Sequence, residues 1–276
     1  MLWLGSIMEK TSFLPREHGA TAMLLVPILC AAVLARQWRW AEVATMVAAT
    51  AALAAKDPLV VLARQRFVWK LRRPETDLAK KYLAAWVTVA ILCGIVMLAS
   101  WPLPAVVVLG AGVCAFSALA VAINVKNRQR STVFQILSAA ALTSGTLAIC
   151  LSATGSIEGW CWWLWPLMAI QAAAGILVVH ARLDARVSAR ANRPVDTGHR
   201  RAAYGAVAAL ACAALCAVGL NQGWIALALS VALAGYGFDL WRQRDPAEMK
   251  VPLTRIGQQG LALSFVYAVL IVIGLW

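Results

Sequence analysis

Long apolar segments separated by short polar connections run through almost the whole chain. Each segment shows no alternation of apolar and polar residues and is about twice as long as a strand of a membrane barrel requires. An α-helix of such length spans the hydrocarbon core of a bilayer. The pattern predicts an all-α polytopic membrane protein with nine transmembrane helices, near residues 20–36, 41–63, 82–100, 103–125, 132–152, 161–181, 202–220, 223–241 and 258–276.

Basic residues are distributed very unevenly between the two sets of connections. The segment before helix 1 and every second connection after it hold 22 of the 25 Lys and Arg residues, whereas the other set holds only Arg36 and Arg39. Cytoplasmic connections carry the excess of basic residues in membrane proteins. We therefore expect a cytoplasmic N-terminus and an outside C-terminus, with residues 1–19 as an N-terminal cytoplasmic segment and residues 20–276 as a single transmembrane domain.

Composition agrees with this pattern. Hydrophobic residues make up 62% of the chain and charged residues 13%, and the mean hydropathy is +0.75, whereas about a quarter of the residues of a soluble domain are charged. The net charge of +13 would suit nucleic acid, but in a polytopic protein it indicates cytoplasmic loops and contact with anionic lipids. The expected partners therefore include membrane lipids and exclude nucleic acid.

The cysteines form no recognisable metal or redox motif. Their number is odd, none forms a CxxC pair, and nearly all lie inside apolar segments, at positions 30, 93, 114, 150, 161, 212 and 216. Such cysteines behave as small apolar side chains. We therefore predict neither disulfides nor a metal site from them.

Helix 2 carries a polar interruption, Lys56-Asp57-Pro58, inside its apolar part. Ionisable residues within a membrane helix are costly and mark a functional site or a buried ion pair. Pro58 removes a helical hydrogen bond. Because adjacent residues point about 100° apart on a helix, the geometry favours separate partners for Lys56 and Asp57, although a structural pair at a kink remains the alternative.

Helix 6 leaves its apolar segment through "HARLDARVSARAN", in which His180, Asp184 and Ser188 recur every four residues. This spacing places them on one helical face. That face would present a carboxylate and an imidazole to a cavity. Alternatively, the helix simply emerges from the membrane, and its arginines extend to lipid phosphates.

Two further polar stretches belong to the same predicted cytoplasmic side. Glu17 and His18 precede helix 1, where Glu17 caps the helix or faces the cavity. Lys126 and Arg128 follow helix 4 in "KNRQR", as a solvated basic loop or as phosphate ligands. Basic clusters with a few carboxylates suit a phosphate or diphosphate group, through charge-assisted hydrogen bonds and Mg²⁺.

These stretches resemble the motifs of the UbiA superfamily of intramembrane prenyltransferases. Asp57 in "KDPLVVLAR" stands where the family's NDxxD motif begins, "HARLDARVS" has the spacing of its DxxxDxxxD motif with Asp184 in the middle, and "VKNRQRSTVFQ" is similar to its Lys-Arg stretch. The resemblance implies a nine-helix bundle in which Mg²⁺ and basic side chains hold an isoprenyl diphosphate. Asp57 and Asp184 would be the catalytic and metal-binding residues.

At the other positions of these motifs, the sequence differs from that family. Lys56 replaces the motif's asparagine, Val61 its second acid, and His180 and Ser188 the outer acids of the second motif. One carboxylate per motif remains, which limits the implied site to at most one Mg²⁺. The resemblance implies that Lys126 and Arg128 contact the diphosphate. The polar stretches add Glu17, His18, Lys56, Arg64, His180 and Ser188 as further residues that we expect to bind the substrate.

The stretch "PREHGATAMLLVP", Pro15 to Pro27, resembles the N-terminal signature of the YwiC-like proteins, which are bacterial membrane proteins. The resemblance implies a multi-pass protein of the bacterial inner membrane and adds no settled activity. The resulting hypothesis is a cytoplasm-facing polar cavity that binds or transfers an isoprenyl diphosphate or a similar phosphorylated amphiphile. The alternative is a transporter or lipid-binding protein without enzymatic activity, with Glu17, His18 and Asp57 at a proton-coupled or anion-coupled site.

Overall fold

The structure is a computed structural model that describes residues 18–71, 73–99, 101–126, 131–191, 197–245, 247–248 and 251–276. The longer elements in these ranges are all helical. They are α1 (His18–Ala35), α2 (Trp40–Arg64) with a π-helical turn (Gln65–Trp69), α3 (Thr76–Leu98), α4 (Leu103–Val125), α5 (Thr132–Thr143), α6 (Gly145–Thr154), α7 (Gly159–Ala191), α8 (Thr197–Gly219), α9 (Gly223–Arg242) and α10 (Leu253–Leu275).

The predicted all-α membrane class is confirmed. Among the described residues, eight helical segments are long and apolar enough to cross a membrane, and α5 and α6 count together as one of them. The ninth predicted span corresponds to Gly19–Ala35, which is apolar but shorter. Together with this shorter helix, the described residues hold one helical segment at each of the nine predicted positions. The agreement arises because length and hydropathy are local properties of each segment.

Several helices are longer than the sequence predicted: α7 continues to Ala191 instead of residue 181, and α3, α8 and α10 begin five or six residues earlier. Two other boundaries differ where polar side chains make contacts. The segment predicted over 132–152 is broken between α5 and α6, where the hydroxyls of Thr143 and Ser144 donate to the carbonyls of Ala139 (2.8 Å) and Ala141 (2.7 Å). Such back-bonding hydroxyls often bend a helix. Gly145 follows at once, and a Cβ there would lie 2.9 Å from Cγ1 of Ile28. The small residue allows close packing of α1 on α6.

The second boundary lies at the end of helix 2, which the sequence placed at residue 63. The helix continues through the π-helical turn to Trp69, and Lys70 ends it in the left-handed conformation with φ of 51°. Within the turn, buried Gln65 accepts a hydrogen bond of 2.6 Å from the Thr76 hydroxyl at the start of α3. The turn begins directly after Arg64, and π-helical insertions often occur at functional sites.

The chain divides into two compact units. Unit 1 comprises Met1–Thr21 and Val43–Gln129, and within it α3 packs on α4. Unit 2 comprises Ala22–Glu42 and Arg130–Trp276. The long helix α7 is the centre of unit 2 and packs against α5, α6, α8, α9 and α10. The candidate residues of helices 2 and 4 therefore lie in unit 1, and those of helix 6, now α7, lie in unit 2.

The prediction that no cysteines form disulfides is wrong for one pair. Cys150 in α6 and Cys161 in α7 form a disulfide, with their Cα atoms 6.6 Å apart. The helices reverse direction between them, which brings together two positions that are 11 residues apart in sequence. Of the free cysteines, Cys30 is buried as expected, but Cys114, Cys212 and Cys216 lie on the exposed sides of their helices.

Candidate functional site

A cluster of paired charges joins the second half of α7 to the end of α9 in unit 2. Arg182 is only 2% exposed and forms an ion pair with Asp239 of α9. Its second guanidinium nitrogen lies 4.0 Å from Glu248, which also pairs with Arg242. We call Arg182, Asp239, Arg242 and Glu248 the ionic cluster. Its two cations and two anions balance, and pairing of this kind is what allows charges to persist away from water.

Neighbouring polar groups fix the position of the ionic cluster. The side-chain amide of Gln243 donates to the Asp239 carboxylate (3.2 Å) and to the Val178 carbonyl (3.3 Å). Arg186 donates to the carbonyl of Val251, just before α10. These contacts connect α7 with the last turn of α9 and with the segment that leads to α10.

The predicted polar face of α7 lies against the beginning of α8. His180, Asp184 and Ser188 are all half-buried. The Asp184 carboxylate pairs with the imidazole of His199, and the rings of His180 and His199 have centroids 6.0 Å apart. The structure thus brings two of the three predicted residues together around His199, which the sequence argument did not single out.

The alternative in which the arginines of α7 extend to lipid phosphates is wrong for Arg182. Its side chain is buried in unit 2, because Asp239 of the neighbouring helix α9 supplies a carboxylate within reach of the guanidinium. Asp239 was detectable in principle, since it is a lone acid in the apolar segment "AGYGFDLW", and such residues usually face other helices.

A second polar network lies deeper in unit 2. The side-chain amide of Gln171 in α7 donates to the hydroxyls of Tyr236 in α9 (2.7 Å) and Ser264 in α10 (2.8 Å). Ser264 in turn donates to the Gly260 carbonyl at 2.9 Å. These three helices are therefore linked by side-chain hydrogen bonds, which replace the hydrophobic driving force that lipid does not provide.

In unit 1, the structure brings the end of α2 to the end of α4. Nη2 of Arg64 donates a hydrogen bond of 3.0 Å to the Asn124 carbonyl. The side chain of Asn124 donates to the Ala120 carbonyl at 2.8 Å, and exposed Lys126 caps α4 two residues later. The guanidinium of Arg64 therefore contacts the helix end that Lys126 follows, and we call Arg64 and Lys126 the α2–α4 basic cluster.

For the other candidate residues of helices 1, 2 and 4, the structure gives the position in the helix for some and leaves others outside the described residues. Lys56 and Asp57 are half-buried inside α2, which remains α-helical through Pro58. His18 begins α1. Glu17 and Arg128 lie outside the described residues.

The donor atoms needed for a family-type Mg²⁺ site do not converge in the described part of the chain. No group of three His, Cys, Asp or Glu side chains there is close enough to hold a metal ion. Asp184 is engaged by His199. Protein side chains alone therefore do not form a closed coordination shell around Asp184, and oxygen ligands from a bound phosphate would have to complete it.

Comparison with known proteins identifies one family. The family model described as YwiC-like protein matches residues 14–150. The matched region contains the α2–α4 basic cluster as well as Glu17, His18, Lys56 and Asp57, and it ends before α7. No curated protein and no solved structure matches significantly.

Proposed function

We propose that this chain, a YwiC-like integral membrane protein by its match over residues 14–150, binds the phosphate end of an isoprenyl diphosphate or a similar phosphorylated amphiphile. The binding site in this proposal is the α2–α4 basic cluster on the cytoplasmic side. The observation that carries it is the hydrogen bond between Arg64 and the Asn124 carbonyl. It holds a guanidinium beside the helix end where Lys126 lies.

The chemistry of the cluster suits a phosphate group. Guanidinium and ammonium groups form short, charge-assisted hydrogen bonds with phosphate oxygens. Arg64 is anchored through one nitrogen, so little side-chain freedom remains to be lost when phosphate binds. The apolar helices on either side would accept the isoprenoid chain of such a ligand in the membrane, while its charged end stays at the boundary.

Prenyl transfer of the UbiA type is the catalytic form of this proposal. The bond between the allylic carbon and the diphosphate oxygen would break, and its electron pair would leave with diphosphate. A nucleophilic acceptor would supply the electron pair of the new bond to the allylic carbon and would release one proton. Arg64, Lys126 and Arg128 would stabilise the charge that develops on the leaving group. Asp57 and Asp184 would each be a candidate carboxylate ligand for Mg²⁺, whose other ligands would come from substrate phosphates. The remaining candidate substrate contacts in this form are Glu17, His18, Lys56, His180 and Ser188.

Neutralising the basic cluster tests the binding proposal directly. We expect Arg64→Gln and Lys126→Gln each to weaken binding of farnesyl diphosphate by about tenfold, the cost of one charge-assisted hydrogen bond. Binding is measured by isothermal titration calorimetry on purified protein in detergent. Lys81→Gln is the matched control, because Lys81 is an exposed lysine of unit 1 on α3. Equal binding by all three variants and the unaltered chain would refute the proposed site.

The contribution of Mg²⁺ is tested with the two aspartates. We expect Asp57→Asn and Asp184→Asn to remove the increase in farnesyl diphosphate affinity that Mg²⁺ produces, because an amide is a weaker ligand for a hard cation than a carboxylate. His199→Gln separates two roles of Asp184, since it removes the partner and keeps the carboxylate. If the Mg²⁺-dependent increase persists in both aspartate variants, the prenyltransferase form of the proposal fails.

Transport without catalysis is the second candidate function. It is favoured by the polar network of Gln171, Tyr236 and Ser264, since polar side chains inside membrane helices often line a pathway. In this form, Glu17, His18 and Asp57 would couple uptake to protons or anions. Uptake into vesicles should then depend on pH, and His18→Ala should abolish that dependence. A pH-independent flux would count against this candidate.

A further inference from the structure

A polar cavity of about 310 Å³ lies in unit 2, at the end of the bundle where the disulfide is found. The end of α1, the connection between α6 and α7, and the end of α10 form its walls. Its lining includes Arg36, Glu158, Trp160, Leu275 and Trp276. None of these residues belongs to the α2–α4 basic cluster, the ionic cluster or the polar face of α7.

One cationic group is fixed in the wall of this cavity. Arg36 ends α1 in the left-handed conformation, with φ of 56°. Its Nη2 atom donates a hydrogen bond of 3.0 Å to the backbone oxygen of Trp276, and its guanidinium lies 4.0 Å from the centre of the Trp276 ring. These contacts use one nitrogen and one face, so the other N–H groups of the guanidinium remain as donors.

One anionic group, Glu158, also lines the cavity and lies in the connection between α6 and α7. Oε2 of Glu158 accepts a hydrogen bond of 2.6 Å from the indole nitrogen of Trp160. The connection is short and braced at both ends by the disulfide between Cys150 and Cys161. Thr154 also donates a hydrogen bond of 2.7 Å to the Ser156 carbonyl. The carboxylate is therefore presented by a stiff loop.

We propose that this cavity binds the headgroup of a phosphatidylethanolamine-type lipid, with the phosphate on Arg36 and the primary ammonium on Glu158. A site that offers a guanidinium and a carboxylate side chain matches a zwitterion, and Glu158 would repel the net charge of an anionic lipid. A primary ammonium donates hydrogen bonds to a carboxylate, which a quaternary ammonium cannot do. The cavity volume lies near the lower end of the range for small-molecule sites, about 300–1,000 Å³, which suits a headgroup.

The surroundings indicate a lipid as the source of this headgroup. Trp160 and Trp276 line the cavity, and tryptophan is enriched where membrane helices meet the headgroup layer. The distribution of basic residues predicts that this end faces the outside of the cell. Disulfides persist in oxidising compartments, which agrees with that prediction. The occupant would therefore be a lipid of the outer leaflet.

Native mass spectrometry of the full chain in detergent tests this proposal. Phosphatidylethanolamine, phosphatidylcholine and phosphatidylglycerol with identical acyl chains are titrated separately. We expect at least about tenfold tighter binding of phosphatidylethanolamine than of the other two, and a loss of about tenfold in Arg36→Gln and in Glu158→Gln. Arg39→Gln is the matched control, because Arg39 is an exposed arginine in the same connection.

Three results would overturn the proposal. The first is equal retention of the three lipids by the unaltered chain, and the second is an effect of Arg39→Gln as large as that of Arg36→Gln. The third comes from glycerophosphoethanolamine, the soluble headgroup without acyl chains. If it binds as tightly as the intact lipid, the occupant is a soluble phosphoamine instead. Circular dichroism of each variant confirms that lost binding does not reflect lost folding.

Discussion

Replacing Arg182 with methionine should lower the free energy of unfolding by about 3–5 kcal/mol, the usual cost of removing one partner from a buried ion pair. Arg182 is the most buried member of the ionic cluster, with 2% of its side chain exposed. Without it, Asp239 loses its guanidinium partner, and Glu248 retains only Arg242. Two acids would then share one cation in a region that α7, α9 and the segment before α10 enclose.

Thermal unfolding in detergent, followed by tryptophan fluorescence, measures this effect. Arg190→Met is the matched control, because Arg190 lies on the same helix and is exposed, and it should change the melting temperature little. The double variant Arg182→Met with Asp239→Leu should be more stable than Arg182→Met alone, since removing both charges avoids stranding one. An Arg182→Met variant that melts like the unaltered chain would show that the pair carries no stability.

Replacing Gly175 with alanine should cost about 2–4 kcal/mol through overpacking and a lost buried hydrogen bond. A Cβ at this position would lie 2.8 Å from the Tyr236 hydroxyl. The hydroxyl is held there by the amide of Gln171, so it can move away only by giving up that bond. The expected result is a lower melting temperature.

Two further variants separate this clash from the general effect of altering a helix glycine. Tyr236→Phe combined with Gly175→Ala should recover part of the loss, because the atom nearest to the added Cβ is gone. Gly205→Ala in α8 is the control, since a Cβ there meets no atom within 4 Å, and alanine favours helix over glycine by about 1 kcal/mol. If both single variants behave alike, packing against Tyr236 is not the cause.

The two candidate sites show that residue spacing predicts which side chains share a helical face but does not predict their partners on other helices. Four-residue spacing correctly placed His180 and Asp184 on one face of a helix, but it carried no information about which helix that face meets. His199 belongs to α8 and became visible only when α7 and α8 packed together. Likewise, nothing in the spacing of helix 2 indicated that Arg64 donates a hydrogen bond to the Asn124 carbonyl at the end of α4.

The sequence by itself determined the all-α membrane class, the number of apolar segments and most of their boundaries. These properties depend on the length and hydropathy of each segment, and both can be determined from consecutive residues alone. The tertiary structure alone decided that α5 and α6 are separate and that helix 2 continues through a π-helical turn. It also decided that Cys150 joins Cys161 and that Arg182 is buried against Asp239. Each of these depends on packing or pairing between groups, and periodicity within one helix does not specify a partner on another.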